Sequence, residues 1–220
     1  MTRVYIARVD CLSESELFSA LLQRVPKWRR ERIERQKNES EKRLSLGAWA
    51  LLTEALRRNG EDAPRFAFGE NGKPFLENNG ELFFNLSHSG NTVMCAVSSR
   101  PVGCDTEAVR PRSLEVARRF FAHAELSFIE RGRTDEERLA SFYRIWTLKE
   151  SFVKATGYGM SLPFESFSVV GENGEVSERL SCEGEDYSLF EYDLSDGYRY
   201  AVSAQCSDAP AFEEISLREL

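Results

Sequence analysis

Four side chains in this sequence have the types and spacing to handle a phosphate ester: Asp105, Glu107, Glu150 and Lys154. Asp105 and Glu107 close the run Val102-Gly-Cys-Asp-Thr-Glu107, which reads as a strand. Strand side chains alternate faces, so the two carboxylates project to the same side. Glu150 and Lys154 lie in Arg144-Ile-Trp-Thr-Leu-Lys-Glu-Ser-Phe-Val-Lys154, a helical stretch in which residues four apart share a face. Where such a strand and helix meet, three carboxylates converge beside an ammonium. Unpaired carboxylates repel one another, and a hard divalent cation relieves the repulsion. Mg2+ takes oxygen ligands and completes its shell with water and substrate phosphates.

Each motif also has a plainer reading. An Asp-x-Glu at a strand end is commonly a solvated edge, and a Glu/Lys pair four apart is commonly a surface ion pair of about 0.2–0.5 kcal/mol. Trp146 with Ile145, Leu148 and Phe152 reads as core; His88 reads as a structural histidine and Lys73 as a turn lysine. Their order along the chain favours the functional reading.

The elements that must position these residues alternate helix and strand. Residues 4–9 read as a strand. Ser13 with Glu16 forms a candidate capping box for a helix to about Arg24, and Pro26 suits the first turn of a second helix. Residues 41–59 form a long helix ended by Gly60. Strands follow, joined by turns at Gly69-Glu-Asn-Gly72, Asn78-Asn-Gly80 and Ser87-His-Ser-Gly90. Ser113 opens a helix through about Phe121, a long helix spans about 135–156 and stops at Gly157, and strands return in the tail.

The order of motifs repeats. Trp49-Ala-Leu51 precedes Gly60 as Trp146-Thr-Leu148 precedes Gly157. Gly-Glu-Asn-Gly occurs at 69–72 and 171–174; Leu86-Ser, Gly90 and Ala96-Val-Ser98 are echoed by Leu194-Ser, Gly197 and Ala201-Val-Ser203. The expectation is an α+β fold of two similar subdomains, each with helices packed on a small mainly antiparallel sheet, related by a pseudo-twofold with the site at their interface. The division is expected at 1–104 and 105–220.

Composition narrows the class. The chain has 220 residues, 41% hydrophobic and 30% charged, with a net charge of −7. No apolar stretch is long enough to span a membrane, and the first ten residues lack the apolar centre of a secretion signal, so a cytoplasmic protein is expected. Five scattered cysteines and two histidines speak against zinc. Residues 24–43 carry nine basic and four acidic residues. That segment is either a solvated helical face or an anion site for a phosphate-bearing small molecule; the acidic remainder would repel nucleic acid. There is no Gly-x-Ser-x-Gly elbow and no Gly-x4-Gly-Lys-Ser/Thr loop, and Gly157-Tyr-Gly159 follows a helix, so serine hydrolases, P-loop NTPases and dinucleotide folds are disfavoured. What remains suits phosphoryl-group transfer to a hydroxyl supplied by the acceptor.

Gly72-Lys-Pro74, Phe84-Asn-Leu-Ser-His-Ser-Gly90, Val102-Gly-Cys-Asp-Thr-Glu107, Phe120-Phe with Glu125, and Trp146-Thr-Leu-Lys-Glu-Ser-Phe-Val-Lys154 followed by Gly157 resemble the 4′-phosphopantetheinyl transferases of the Sfp type, in their longer, pseudo-dimeric monomer form. The likeness runs to Ser-Leu-Pro-Phe-Glu-Ser-Phe-Ser at 161–168. It implies transfer of the phosphopantetheine arm of coenzyme A to a serine of an apo acyl or peptidyl carrier protein, releasing adenosine 3′,5′-bisphosphate. The first half would bind coenzyme A and the second carry metal and catalysis. Asp105, Glu107 and Glu150 would hold Mg2+, with Mn2+ the alternative. Lys154 would offset phosphate charge. Glu150 would be the general base, directly or through a metal-bound water, unless a metal-bound hydroxide takes the proton. Arg43, Lys73, Pro74, Ser87, His88 and Lys154 would contact coenzyme A.

Two departures are visible. Trp28 stands where the pattern often has a lysine, leaving Lys27, Arg29 or Arg32 to replace it, and Cys104 stands for an aliphatic residue. The carrier is expected to be a small acidic domain facing Arg110, Arg112, Arg118 and Arg119, which could equally be a solvated basic helix. No nucleic acid or membrane partner is expected. The rivals are a silent coenzyme A or nucleotide binder and a Mg2+-dependent nucleotide hydrolase.

Overall fold

The computed structural model describes residues 1–69, 73–111 and 114–220. The expected turn at 70–72, Arg112 and the helix start at Ser113 lie outside the described residues.

The chain is mixed α+β. It opens with strand β1 (Thr2–Arg8), a 3-10 turn at Asp10–Ser13, and helices α1 (Ser15–Gln23), α2 (Lys27–Glu34) and α3 (Glu39–Arg58). Strands β2 (Phe66–Phe68), β3 (Pro74–Leu76), β4 (Phe83–Ser89), β5 (Thr92–Ser98) and β6 (Val102–Ala108) follow. Helices α4 (Glu115–Phe120), α5 (His123–Glu130) and α6 (Asp135–Thr156) precede β7 (Arg179–Cys182), β8 (Glu185–Tyr192), β9 (Tyr198–Ala204) and β10 (Ala211–Glu214). No helix among the described residues is long and apolar enough to cross a membrane.

Two four-stranded sheets carry the fold, ordered β10-β1-β5-β4 and β6-β9-β8-β7; β2 and β3 pair separately. Their outer faces are covered by helices. Tyr5, Ala7, Val93, Cys95 and Val97 pack under α3 residues such as Leu51 and Leu56. Phe142, Ile145 and Leu148 of α6 cover the second sheet beside Ala201. The inner faces meet each other: Val4, Ile6, Met94 and Ala96 against Val102, Cys104, Tyr200 and Val202. The layers therefore run helix, sheet, sheet, helix. Strand β1 is buried on both faces, which is why Val4 to Ala7 is a continuous apolar run.

Several local expectations are corrected. Ser13 is not a helix cap: it closes the 3-10 turn, its hydroxyl donating to the Asp10 carbonyl at 2.7 Å, and α1 starts after Glu14. A cap needs extended backbone, which the turn denies Ser13. Ser87, His88 and Ser89 are strand residues, not a turn; the chain reverses at Gly90 (φ 59°) and Asn91. Leu86-Ser87 lies within β4, whereas Leu194-Ser195 lies in the β8–β9 connection, so that echo does not align. Two other echoes occupy like positions: Gly60 and Gly157 end the long helices at φ 85° and 79°, and Ala96–Ser98 and Ala201–Ser203 sit in β5 and β9; the echo at 69–72 falls largely outside the described residues. The expected division after residue 104 falls inside β6.

Candidate active site

Strand β4 is an edge of the first sheet and β6 an edge of the second. Edge strands leave backbone donors unpaired, and here side chains satisfy them. Asn85 Oδ1 accepts from the Cys104 amide at 2.9 Å, Ser87 Oγ from Thr106 at 3.3 Å, and Ser89 Oγ from Ala108 at 3.1 Å. The same serines donate sideways to the acids: Ser87 to Asp105 Oδ1 at 2.7 Å, Ser89 to Glu107 Oε2 at 2.8 Å. One alternating polar row, 85-87-89, thus seals the sheets and aims both carboxylates. Sequence reasoning selected Ser87 but missed Asn85 and Ser89; the every-second-residue polar spacing was the available signal.

The opposite wall is α6. Lys154 Nζ donates to Asp105 Oδ1 at 2.6 Å and to the Cys104 carbonyl and Ser87 Oγ, both at 3.3 Å. Gly103 permits this approach: a Cβ there would stand 2.0 Å from the Ser151 carbonyl oxygen and 2.3 Å from the Ala155 nitrogen. Burial alone would lower the Lys154 pKa, but the Asp105 charge and hydrogen bond outweigh it and the net shift is upward, so the ammonium stays charged. Cys104 beside it is a buried thiol, pushed up to about 12 mainly by burial.

Asp105 is 3% exposed, and its second oxygen, Oδ2, is buried with no hydrogen-bond partner. Glu150 faces the strand from α6. Its pKa is raised, first by burial; Lys154 opposes the shift, and the charges of Asp105 and Glu107 add to it. The three acids therefore sense one another. Among the described residues no group of three His, Cys, Asp or Glu side chains is placed to hold a metal ion. The orphaned buried oxygen of Asp105, in an all-oxygen donor set, is the feature that suits a hard cation.

Two cavities flank this centre. The first, about 560 Å³, is walled by α2, α3 and β4, with Arg29, Arg32 and His88 among its lining. Arg29 Nη2 donates to the Ser45 carbonyl and hydroxyl at 3.2 and 3.1 Å, while its buried Nε has no partner. Glu41 also lines the cavity, but its carboxylate accepts from Asn38 at 3.2 Å. Pro74 lines this cavity; Lys73 does not. The Lys73 ammonium donates instead to the Lys154 carbonyl at 2.6 Å, capping the end of α6. Arg43 lies near the start of α3, half-buried, outside that lining, and no hydrogen bond or ion pair among the described residues engages it. The second cavity, about 580 Å³, is mostly apolar, with Phe120, Val153, Leu162 and Phe164 below Glu150 and Lys154.

The residue before Glu150 turns inward. Lys149 and Glu125 are both fully buried, paired at 2.7 and 2.8 Å; Lys149 also donates to the Phe167 carbonyl at 2.7 Å and lies 4.1 Å from the Phe167 ring centre. Glu125 further accepts from the Val169 amide at 2.8 Å and the Ala122 amide at 2.9 Å. The pair ties α5, α6 and the segment after the second cavity into one piece.

A family model of the 4′-phosphopantetheinyl transferase superfamily matches residues 101–203, the stretch from β6 to β9 that contains the acids and Lys154. A 4′-phosphopantetheinyl transferase of Bacillus subtilis is 37% identical over 169 residues, 76% of this chain and 75% of that protein. The chain belongs to the 4′-phosphopantetheinyl transferase superfamily. The Sfp transferase of Bacillus subtilis strain 168 is 40% identical over 154 residues, 70% of this chain and 67% of its own length. The AcpT transferase of Salmonella typhimurium is 36% identical over 161 residues, covering 71% and 75%. The chain is thus a transferase of the 4′-phosphopantetheinyl group, as the motifs imply, and Asp105, Glu107, Glu150 and Lys154 lie within the matched stretch.

Proposed function

We propose that this transferase moves the phosphopantetheine arm of coenzyme A to a serine of an apo acyl or peptidyl carrier protein and releases adenosine 3′,5′-bisphosphate. The buried, unpartnered Asp105 Oδ2 beside Lys154 carries the reading. Asp105, Glu107 and Glu150 would hold Mg2+, which supplies charge neutralisation at the diphosphate. Lys154, kept protonated by Asp105, offsets charge on the leaving phosphate. Glu150, whose pKa is lifted by burial, accepts the proton of the acceptor hydroxyl. Ser87 holds Asp105 in place and His88, Arg29 and Arg32 face the adenosine phosphates in the first cavity; the second, apolar cavity suits the pantetheine arm. Arg43, Lys73 and Pro74 complete the proposed donor set, Lys73 by fixing the end of α6.

The proposed architecture is a monomer of two pseudo-twofold related halves that divide between β5 and β6, the first binding coenzyme A and the second bearing metal and catalysis. The strand, long helix and hairpin shared by β1-α3-β4-β5 and β6-α6-β8-β9 support it. The deciding measurement is the mass of an apo carrier protein after incubation with coenzyme A and Mg2+. A phosphopantetheine gain supports transfer; cleavage without gain indicates a hydrolase, and neither indicates a binder.

Loss of solvent around the ring, then the Lys154 charge, lowers the His88 pKa against its own backbone hydrogen bond and Asp105, although the residue as a whole is exposed, so the free imidazole is neutral near pH 7. A bound phosphate favours the imidazolium, so binding takes up a proton. Affinity for adenosine 3′,5′-bisphosphate should fall more steeply from roughly pH 6 to 8 in the wild type than in His88→Asn. Titration calorimetry giving parallel pH profiles would remove His88 from the phosphate site.

For the carrier, we propose an acidic domain seated on α4, where Arg118 and Arg119 neighbour Phe120, 38% exposed. Arg118→Glu with Arg119→Glu should raise the carrier KM by about tenfold or more at low salt, leave the coenzyme A KM within about twofold, and lose most of the effect at about 1 M salt. Unchanged carrier kinetics would exclude this face.

A further inference from the structure

Two large aromatic rings stand half in solvent at the rim of the first cavity: Trp28, 43% exposed, and Phe68, 49% exposed. They meet edge to face, centroids 5.9 Å apart at 90°. Trp28 also abuts Trp49 at 5.5 Å and 89°, and Trp49 packs on Phe66 at 5.0 Å. Packing on both sides holds Trp28 in one orientation before any ligand arrives. Folding has left this surface exposed, although burying apolar surface is favourable. The same cavity carries the guanidinium of Arg29, whose Nε lacks a partner, and His88. Arg29 lies over the Trp49 ring at 5.7 Å, so the cation adjacent in sequence to Trp28 turns into the wall and leaves the indole free.

Flat π surface beside Arg29 and Arg32, which no carboxylate pairs among the described residues, is the chemistry of a nucleotide: a base stacks while phosphate meets charge. Resting on the coenzyme A reading above, we propose that Trp28, with Phe68, is a stacking corner for the adenine of the donor, a binding residue specific to this chain at a position where the family pattern often has a lysine. The cation for the phosphate is then supplied by Arg29 and Arg32.

The test uses adenosine 3′,5′-bisphosphate, and pyrophosphate as a ligand without a base, on the full-length protein. Trp28→Ala should weaken bisphosphate binding by about 10-fold or more, since stacking contributes roughly 1–3 kcal/mol per base. Trp28→Phe, which keeps a ring, should stay within about threefold, and pyrophosphate binding should be unchanged in both. Bisphosphate should change the tryptophan fluorescence of the wild type, and Trp28→Phe should remove most of that signal. In turnover, Trp28→Ala should raise the coenzyme A KM with kcat kept. Wild-type protein that binds bisphosphate and modifies an apo carrier, with Trp28→Ala binding equally well, would overturn the stacking corner alone; so would an equal loss for pyrophosphate. Wild-type protein that neither binds bisphosphate nor modifies a carrier would overturn the coenzyme A reading and this inference with it.

Discussion

Asp105→Ala is expected to lower kcat by about 10³-fold or more, because a metal-held diphosphate supplies several kcal/mol of charge stabilisation, each 1.36 kcal/mol being tenfold. The side chain has three duties at one point. Its Oδ1 accepts from Ser87 and Lys154, and its buried Oδ2 has no hydrogen-bond partner. Removal leaves Lys154 partly exposed to solvent, with the Cys104 carbonyl and Ser87 as remaining partners, so the fold should survive. Thermal unfolding separates this from collapse. Mg2+ at about 100 times its Kd should stabilise the wild type by about 2.7 kcal/mol, and Asp105→Ala by almost nothing. A variant that keeps a tenth of wild-type turnover, or the full Mg2+ response, would refute the assignment.

Glu125→Ala should cost about 3–5 kcal/mol of unfolding free energy, the usual result of stranding one charge of a buried pair. Lys149 would retain only the Phe167 carbonyl and aromatic rings, and the Val169 and Ala122 amides would lose their acceptor. Burial already presses the Lys149 pKa down, with Glu125 opposing. Replacing both partners, Glu125→Leu with Lys149→Met, should recover part of the loss, because no unpaired charge remains. Urea denaturation reads both variants. A Glu125→Ala loss below about 1 kcal/mol, the size expected of a surface pair, would show that the ion pair is not the joint described.

The chemistry-bearing residues were legible from order and spacing. Period two put Asp105 and Glu107 on one face, and a separation of four put Glu150 and Lys154 on another; the long helix from Asp135 to Thr156 ended at Gly157 as its glycine predicted. The pairing partners were not legible. Lys154 was expected beside phosphate, and that it first binds Asp105 depends on how closely α6 approaches β6, which a glycine at 103 allows but does not announce. Lys73, expected at the coenzyme A site, lines the second cavity, and that its ammonium also reaches the end of α6 was not legible. Ser13 failed as a cap because a 3-10 turn competes for the same backbone. For Lys154 and Lys73 the deciding contact lies far away in sequence, whereas for Ser13 it is a competing turn three residues back.

Strand β10 lies parallel to β1, Val4 opposite Phe212, and Ile215 and Leu217 then enter the core under α3. The first sheet is therefore finished by a segment made long after β1. During synthesis, β1 must wait with one flank open until residues 211–217 have left the ribosome, and early segments otherwise tend to fold first. A nascent chain stalled before residue 211 would hold a wet, pairing-competent rim on β1, so translation arrest is a point at which this molecule is vulnerable to self-association.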